Sequence, residues 1–289
     1  MKRFPILGVL LLIPALTLFG VVGCNKDGAK DAVTKGGATE KEKTTEGGTP
    51  KAAEELTTTT DGTVKGVVIF DGAPPAAEVN KAIAGHKEGP ACMKGGPLDV
   101  NMQTWIVSKE GGVANVVISL AAPKGKKYKV TDALKEPFKA PVIVDQPFCA
   151  YRPHVVGVLA GVQPIVFENH FENNHNVKID GGPINGVFNE IITPKDVKSK
   201  PLTLKGAENI YNVTCEMHGF MNGKIAVFPH PYFAVTKEDG SFEIKNVPTD
   251  TELTVYMWHE SNPSKVDAQK IKLKKGGTEE LKLKIAAPK

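Results

Sequence analysis

The chain has 289 residues, of which 41% are hydrophobic, 24% charged and 7% aromatic, and its formal net charge is +4. That length can bury one or two cores, while 29 glycines, 21 prolines and few aromatics favour short strands and turns and exclude an all-helical bundle or a collagen-like rod. The small positive balance, with no Lys and Arg clustered on one face between aromatics, gives no nucleic-acid signature.

Lys2 and Arg3 make a charged start, Phe4 to Val22 is apolar but broken by Pro5 and Pro14, and Val21-Val22-Gly23-Cys24 leads into a polar run. A single transmembrane anchor is the competing reading of such a stretch. The small residue before Cys24 and the polar run from Asn25 favour cleavage and acylation instead. The segment resembles a bacterial lipoprotein signal with its lipobox, which implies a signal peptide over 1–23 and lipidation at Cys24. The mature protein would then be extracytoplasmic, lipid-anchored to a bacterial membrane and facing the periplasm or cell surface. Residues 24–62 are rich in Lys, Glu, Asp, Thr, Gly and Ala, with Val33 and Leu56 as the larger apolar residues. Such a segment cannot bury enough surface to offset its ordering entropy, so it reads as a disordered tether.

Order is expected from Thr63. Strand-like runs lie at 63–70 and 113–120, separated by a Gly- and Pro-rich stretch that holds Cys92. Further strands are expected at 142–145, 155–159, 164–169, 176–179, 202–204, 210–214 and 224–228. After Pro231 come 232–236 and 241–244 around the turn Glu238-Asp239-Gly240, then 253–258, and finally 270–274 and 281–285, which alternate with period two. A helix of a turn or two is expected only near Lys195. This spacing is that of an all-β protein built from β-sandwiches.

The C-terminal run, with its strand, Asp239-Gly240-Ser241-Phe242 turn and Val247-Pro248, resembles the carboxypeptidase-regulatory-like, transthyretin-like sandwiches. Those sandwiches usually open with a stretch like Gly62 to Val68 ending in Asp71-Gly72-Ala73-Pro74. The resemblance implies either one discontinuous small β-sandwich from 63–125 and 229–289, with a second domain over 126–228 inserted, or two consecutive domains.

The middle segment carries the chemistry. Cys215-Glu216-Met217-His218-Gly219-Phe220-Met221 has the form C-x-x-H-x-x-M after the strand-like Ile210 to Thr214, and His175 stands forty residues upstream. One thiolate, two imidazoles and a thioether are the ligand set of a blue-copper electron-transfer centre. Taken singly, Cys215 and Met221 read as core residues and each histidine as an ordinary buried one. Taken together, on strand ends, they point to one metal. Zinc on His175, Cys215 and His218 is the competing metal, although it would leave the methionine without a role. A dinuclear copper centre would need a second cysteine where Tyr211 or Gly219 stands.

Over roughly 141–229 the chain resembles the cupredoxins, and most closely the amicyanin type with its short C-x-x-H-x-x-M loop. That resemblance implies a cupredoxin-like Greek-key β-sandwich and one type 1 copper, with His175, Cys215 and His218 as equatorial ligands and Met221 as the long axial one. It also implies that Asn176 holds the loop near Cys215. Gly219 and Phe220, where amicyanins typically have a proline just after the histidine, and Asn174 depart from the pattern.

With Cys24 assigned to lipid and Cys215 to metal, Cys92 and Cys149 remain as a disulfide pair or as two separate thiols. Either His154 or His170 would serve as a substitute ligand, with surface or capping roles preferred. His230 reads as structural, and His86 and His259 have no partner spacing. Motifs for hydrolases, nucleotide-binding enzymes, zinc proteases and haem attachment are missing, and His154, His170 and His230 do not have the spacing of a second, all-histidine copper site. The expectation is a non-enzymatic, lipid-tethered carrier of single electrons between partners such as a cytochrome or a dehydrogenase, with an exposed His218 edge as the electron port. A copper-delivery protein and a surface interaction module with a structural metal are the other two classes.

Overall fold

The computed structural model describes residues 53–195 and 197–288. The signal segment, Cys24 and most of the expected tether lie outside the described residues. In chain order the elements are β1 (Glu54–Glu55), β2 (Thr60–Phe70), the single-turn helices α1 (Lys81–Ala84), α2 (Gly89–Cys92) and α3 (Pro97–Val100), β3 (Val117–Ala121), β4 (Lys126–Lys127), α4 (Asp132–Lys135), β5 (Val142–Asp145), β6 (Val155–Leu159), β7 (Ile165–Glu168) and β8 (His175–Asp180). They continue as α5 (Gly182–Asn185), β9 (Val187–Ile192), β10 (Asn209–Thr214), β11 (Asn222–Phe228), β12 (Phe233–Val235), β13 (Ser241–Pro248), β14 (Leu253–His259), β15 (Asn262–Ile271) and β16 (Thr278–Ile285). The described residues are therefore predominantly β, as expected from composition.

Strands from the two ends of the chain share sheets. β2 lies between β13 and β16, and β3 lies between β12 and β14, with β15 at the edge. The period-two alternation decides which face of each strand is buried. In β14, Leu253, Val255 and Met257 point inward. In β16, Leu281 and Leu283 are buried while Lys282 and Lys284 face water. Val64, Val68, Leu120, Phe242 and Ile244 complete one apolar core, which Tyr128 and Leu134 also join. We call this the end sandwich.

A second core fills the middle of the chain. Its main sheet has the order β6-β11-β10-β8-β9, and β5 pairs with β7 beside it. Val158, Phe167, Val177, Ile179, Val213, Ile225 and Val227 form that core together with Cys215 and Met221. Between the two sandwiches, Val117 and Phe228 meet Val155 and Ala226, with Phe233 and Trp258 packed alongside. A polar clasp adds to this joint: Glu260, just after β14, reaches His154 at 3.0 Å and Lys224 at 3.7 Å across to the middle sandwich. Burial opposes ionisation of Glu260, yet those two partners hold its pKa down to about 2.

Five local expectations are corrected. Strand pairing reaches back to Glu54, which faces Lys126, and β2 begins at Thr60, so the tether expected to Gly62 ends earlier. At Lys195 there is a turn rather than a helix, and the helical turns lie elsewhere. Leu202 forms an isolated bridge to Ile165 instead of a strand, and the final long strands are 262–271 and 278–285 rather than 270–274 and 281–285. Finally, β9 was not expected. It is an edge strand whose residues are mostly exposed or half-exposed, so no apolar face marks it in the sequence.

Candidate metal centre

The C-x-x-H-x-x-M run is the loop of a hairpin. β10 ends at Thr214 and β11 begins at Asn222, and these two residues face each other in the ladder. The loop between them is closed by the Cys215 N–H donating to the Met221 carbonyl at 3.2 Å and the Met221 N–H donating to the His218 carbonyl at 2.8 Å. His175 is the first residue of β8, the neighbour of β10 on the other side. The sheet thus brings a loop and a strand end together although they are forty residues apart.

Three donor atoms converge there: His175 Nδ1 lies 3.1 Å from His218 Nδ1, and Cys215 Sγ lies 3.9 Å from the first and 3.7 Å from the second. His175 and His218 are fully buried, and Cys215 and Met221 nearly so. Asn176 ties the loop to β8. Its side-chain oxygen accepts from the N–H of Glu216 at 2.6 Å, its own N–H points at Cys215 Sγ at 3.5 Å, and its amide donates to Asn189 at 2.9 Å. Met221 is buried in the core beside Cys215.

The hydrogen bonds on the far side of each ring fix the tautomers. His175 Nε2 lies 2.9 Å from the Phe148 carbonyl, which can only accept, and His218 Nε2 lies 2.8 Å from a carboxylate oxygen of Glu88. Both Nε2 atoms therefore carry the proton, and both Nδ1 atoms present lone pairs to each other and to the sulfur. Burial, followed by the neighbouring His218, lowers the His175 pKa to about 4, so the ring is neutral at pH 7. Burial also lowers that of His218, against the pull of Glu88. The Cys215 thiol can donate its proton to only one of the two Nδ1 atoms, so two imidazole lone pairs 3.1 Å apart in a closed site are left facing each other, an arrangement that a cation among the three atoms would relieve. An ion with imidazole nitrogens at ~2.0 Å and a thiolate at ~2.3 Å, in near-trigonal arrangement, would separate nitrogen from sulfur by roughly 3.8 Å. The observed nitrogen-to-sulfur separations of 3.7 and 3.9 Å fit such an ion, while the 3.1 Å between the nitrogens is shorter than the roughly 3.5 Å of an even trigonal arrangement.

A strap from the end-sandwich part of the chain covers this centre. Residues 79–101 form a closed loop, its ends joined by a bridge between Val79 and Asn101. Its four-residue helices α1, α2 and α3 are too short to persist alone, and the strap is held by contacts. Cys92 forms a disulfide with Cys149, Asp99 faces Arg152 at 3.4 Å, and Lys94 reaches Glu172 at 3.0 Å. Gly89 is needed where the strap folds on itself, because a Cβ there would lie 2.2 Å from the Ile83 carbonyl oxygen. The strap sets Glu88 on His218, and the His86 ring lies 4.7 Å from the His218 ring and 5.6 Å from Phe220.

Two expectations are overturned here. His218 is 0% exposed and presents no edge to solvent, because the strap occupies that face. His86, expected to have no partner, sits against His218, and with Glu88 and His218 it forms a second, overlapping group of donor atoms. Glu88 was missed altogether. The signal that could have found it is the Cys92 and Cys149 pair, since a disulfide there must bring residues just before Cys92 to the start of the middle sandwich. His154 pairs with Glu260, and the exposed His170 pairs with Asp145 at 2.7 Å. Neither joins the groups of converging donors found among the described residues. His230 is buried against Tyr128 and Tyr232, and His259 stacks on Trp105 at 4.2 Å.

No family model matches the chain, and no curated protein matches it. Among solved structures it is similar to amicyanin from Paracoccus versutus (Thiobacillus versutus), with 24% identity and a TM-score of 0.26 over 30% of this chain and 80% of that one. A reduced amicyanin variant shares 20% identity at a TM-score of 0.26, covering 38% of this chain and 98% of its own. A Cu-containing nitrite reductase from Thermus scotoductus shares 19% identity at a TM-score of 0.26, over 30% of this chain and 22% of that one.

Proposed function

We propose that the protein is a type 1 copper electron carrier, held to a bacterial membrane by lipid at Cys24 and passing single electrons between extracytoplasmic redox partners such as a cytochrome or a dehydrogenase. The observation that carries this reading is the pair of buried Nδ1 atoms, 3.1 Å apart and facing the Cys215 sulfur, with both Nε2 atoms engaged by acceptors on the far side. When bound, copper supplies a one-electron couple that a mixed sulfur and imidazole set accommodates in both oxidation states. His175, Cys215 and His218 would hold the ion, and Met221 would offer it a thioether from the same loop.

What the chain's own residues do follows from their restraints. β8, the hairpin loop and Asn176 keep the donors in place, so little has to move when the charge of the centre changes. The Asn176 N–H directed at the sulfur stabilises the thiolate. Burial of all four side chains excludes water and opposes exchange of the ion, which favours electron transfer over metal delivery. With His218 covered, a side-chain route to solvent runs through the half-exposed His86 ring.

The test is the absorption and electron paramagnetic resonance spectrum of the purified protein after Cu(II) addition, with Cys215→Ser beside it. An intense blue thiolate-to-copper band with narrow copper hyperfine splitting, bleached by ascorbate and missing in the variant, is expected. Ordinary tetragonal copper signals, or no retained copper, would remove the electron-carrier reading and leave metal delivery or a metal-independent interaction module.

A further inference from the structure

We propose that Glu88, on the strap, is a positioning residue of the metal centre: its carboxylate fixes the tautomer and orientation of His218 and biases the site toward the more highly charged, oxidised ion. This rests on the copper reading above.

The two imidazoles are backed unequally. His175 donates its Nε2 proton to the neutral Phe148 carbonyl at 2.9 Å, whereas His218 donates its own to the Glu88 carboxylate at 2.8 Å. A carboxylate on the far nitrogen makes the near nitrogen a stronger donor and holds the ring in one orientation. It also places a negative charge one ring away from the ion, where the strap keeps water off His218, and the attraction it exerts grows with the charge of the ion. Glu88 is itself restrained. Its N–H donates to His86 Nδ1 at 3.2 Å, and its carbonyl accepts from the N–H groups of Ala91 and Cys92 at 3.0 and 3.1 Å. The Cys92 to Cys149 disulfide then connects the two acceptors covalently, since Glu88 stands four residues before Cys92 and Phe148 immediately before Cys149. One crosslink thus ties together both segments whose acceptors orient the imidazoles.

Glu88→Gln and Glu88→Ala in the full chain test this, with circular dichroism and the metal-free melting temperature confirming that both variants fold as the wild type does. Removing such a partner is expected to weaken Cu(II) binding about 10- to 100-fold. Cu(I) should be weakened less, so the midpoint potential should rise, and a tenfold bias corresponds to about 59 mV for one electron. In the metal-free protein, the His218 Nε2–H should give a slowly exchanging ring-proton resonance that persists in Glu88→Gln, whose amide oxygen still accepts, and disappears in Glu88→Ala. Wild-type potential and Cu(II) affinity in both variants, with the ring-proton resonance intact in Glu88→Ala, would overturn the proposal. If the wild type forms no thiolate-to-copper band, the copper reading fails on its own, and Zn(II) affinity with the same resonance decides Glu88. A tenfold loss with the resonance gone in Glu88→Ala supports it, and no change in either overturns it.

Discussion

The end sandwich and the middle sandwich are both closed by alternating strands, but they differ in what they bury. The core of the end sandwich is a continuous set of Val, Ile, Leu, Phe and Met with Tyr232, and its buried polar residues, among them Ser119, Thr236, Thr249 and His259, are scattered along its strands and strand ends rather than gathered at one centre. The middle sandwich takes His175, Asn176, Asn169, Gln146 and His218 out of water as well. Each of these needs named partners, because a buried polar group left unpaired costs about 1–3 kcal/mol. Asn169 donates to the carbonyls of Asn173 and Ile192, Gln146 donates to the Glu168 carbonyl while its side-chain oxygen has no partner among the described residues, Asn176 is satisfied as described, and the two histidines are satisfied at Nε2. Two nearby sandwiches can therefore serve different ends: one supplies apolar stability, and the other supports a chemically specific and costly arrangement.

That division can be broken by experiment. The largest effect on stability is expected from Leu120→Ala, in the centre of the end-sandwich core and 0% exposed. It should cost about 2–5 kcal/mol in urea unfolding while leaving the copper spectrum as it was. Loss of the spectrum together with stability would mean that the two cores do not hold their structures separately. Replacing both Cys92 and Cys149 by serine removes a crosslink between residues 57 apart. By the loop-closure argument this costs about 4 kcal/mol, read as a lowered urea midpoint. It should also let solvent reach His218, seen as faster hydrogen exchange in the loop 215–221. A smaller effect is expected from pH, and it sharpens the comparison because histidines with lowered pKa lie in both sandwiches, His175 and His218 in the middle one and His259 in the end one. Burial lowers the pKa of His175 and of His259 to about 4, whereas the unfolded chain protonates its histidines near 6.5. Between those values the unfolded state binds more protons, so stability should be full above about pH 6.5 and fall progressively toward pH 4. Thermal melts of the metal-free protein across that range should show this slope, and His259→Gln should retain only the part due to the metal site. A flat profile would contradict the burial of both rings.

The sequence carried a good deal of this. Strands such as β2, β14 and β16 were legible because alternation is a local property, and β10, the ligand loop and β11 lie within twenty residues of one another. The candidate ligands His175, Cys215, His218 and Met221 could be named from residue type and spacing, whereas the loop contact of Asn176 was implied by the resemblance to the cupredoxins. The edge strand β9 escaped because its mostly exposed residues leave no apolar stripe, and Lys195 looked helical where the chain only turns.

The sequence by itself determined the β character, the alternating cores and the soft-donor loop, since each depends on neighbours a few positions away. Only the tertiary structure decided that strands from both ends share sheets, that the strap closes over His218, and that His86 and Glu88 belong to the site. Glu88 and His218 are 130 positions apart, and no local pattern records a hydrogen bond between them. It exists because a crosslink and a folded strap bring an acceptor to a ring whose buried N–H has to be satisfied.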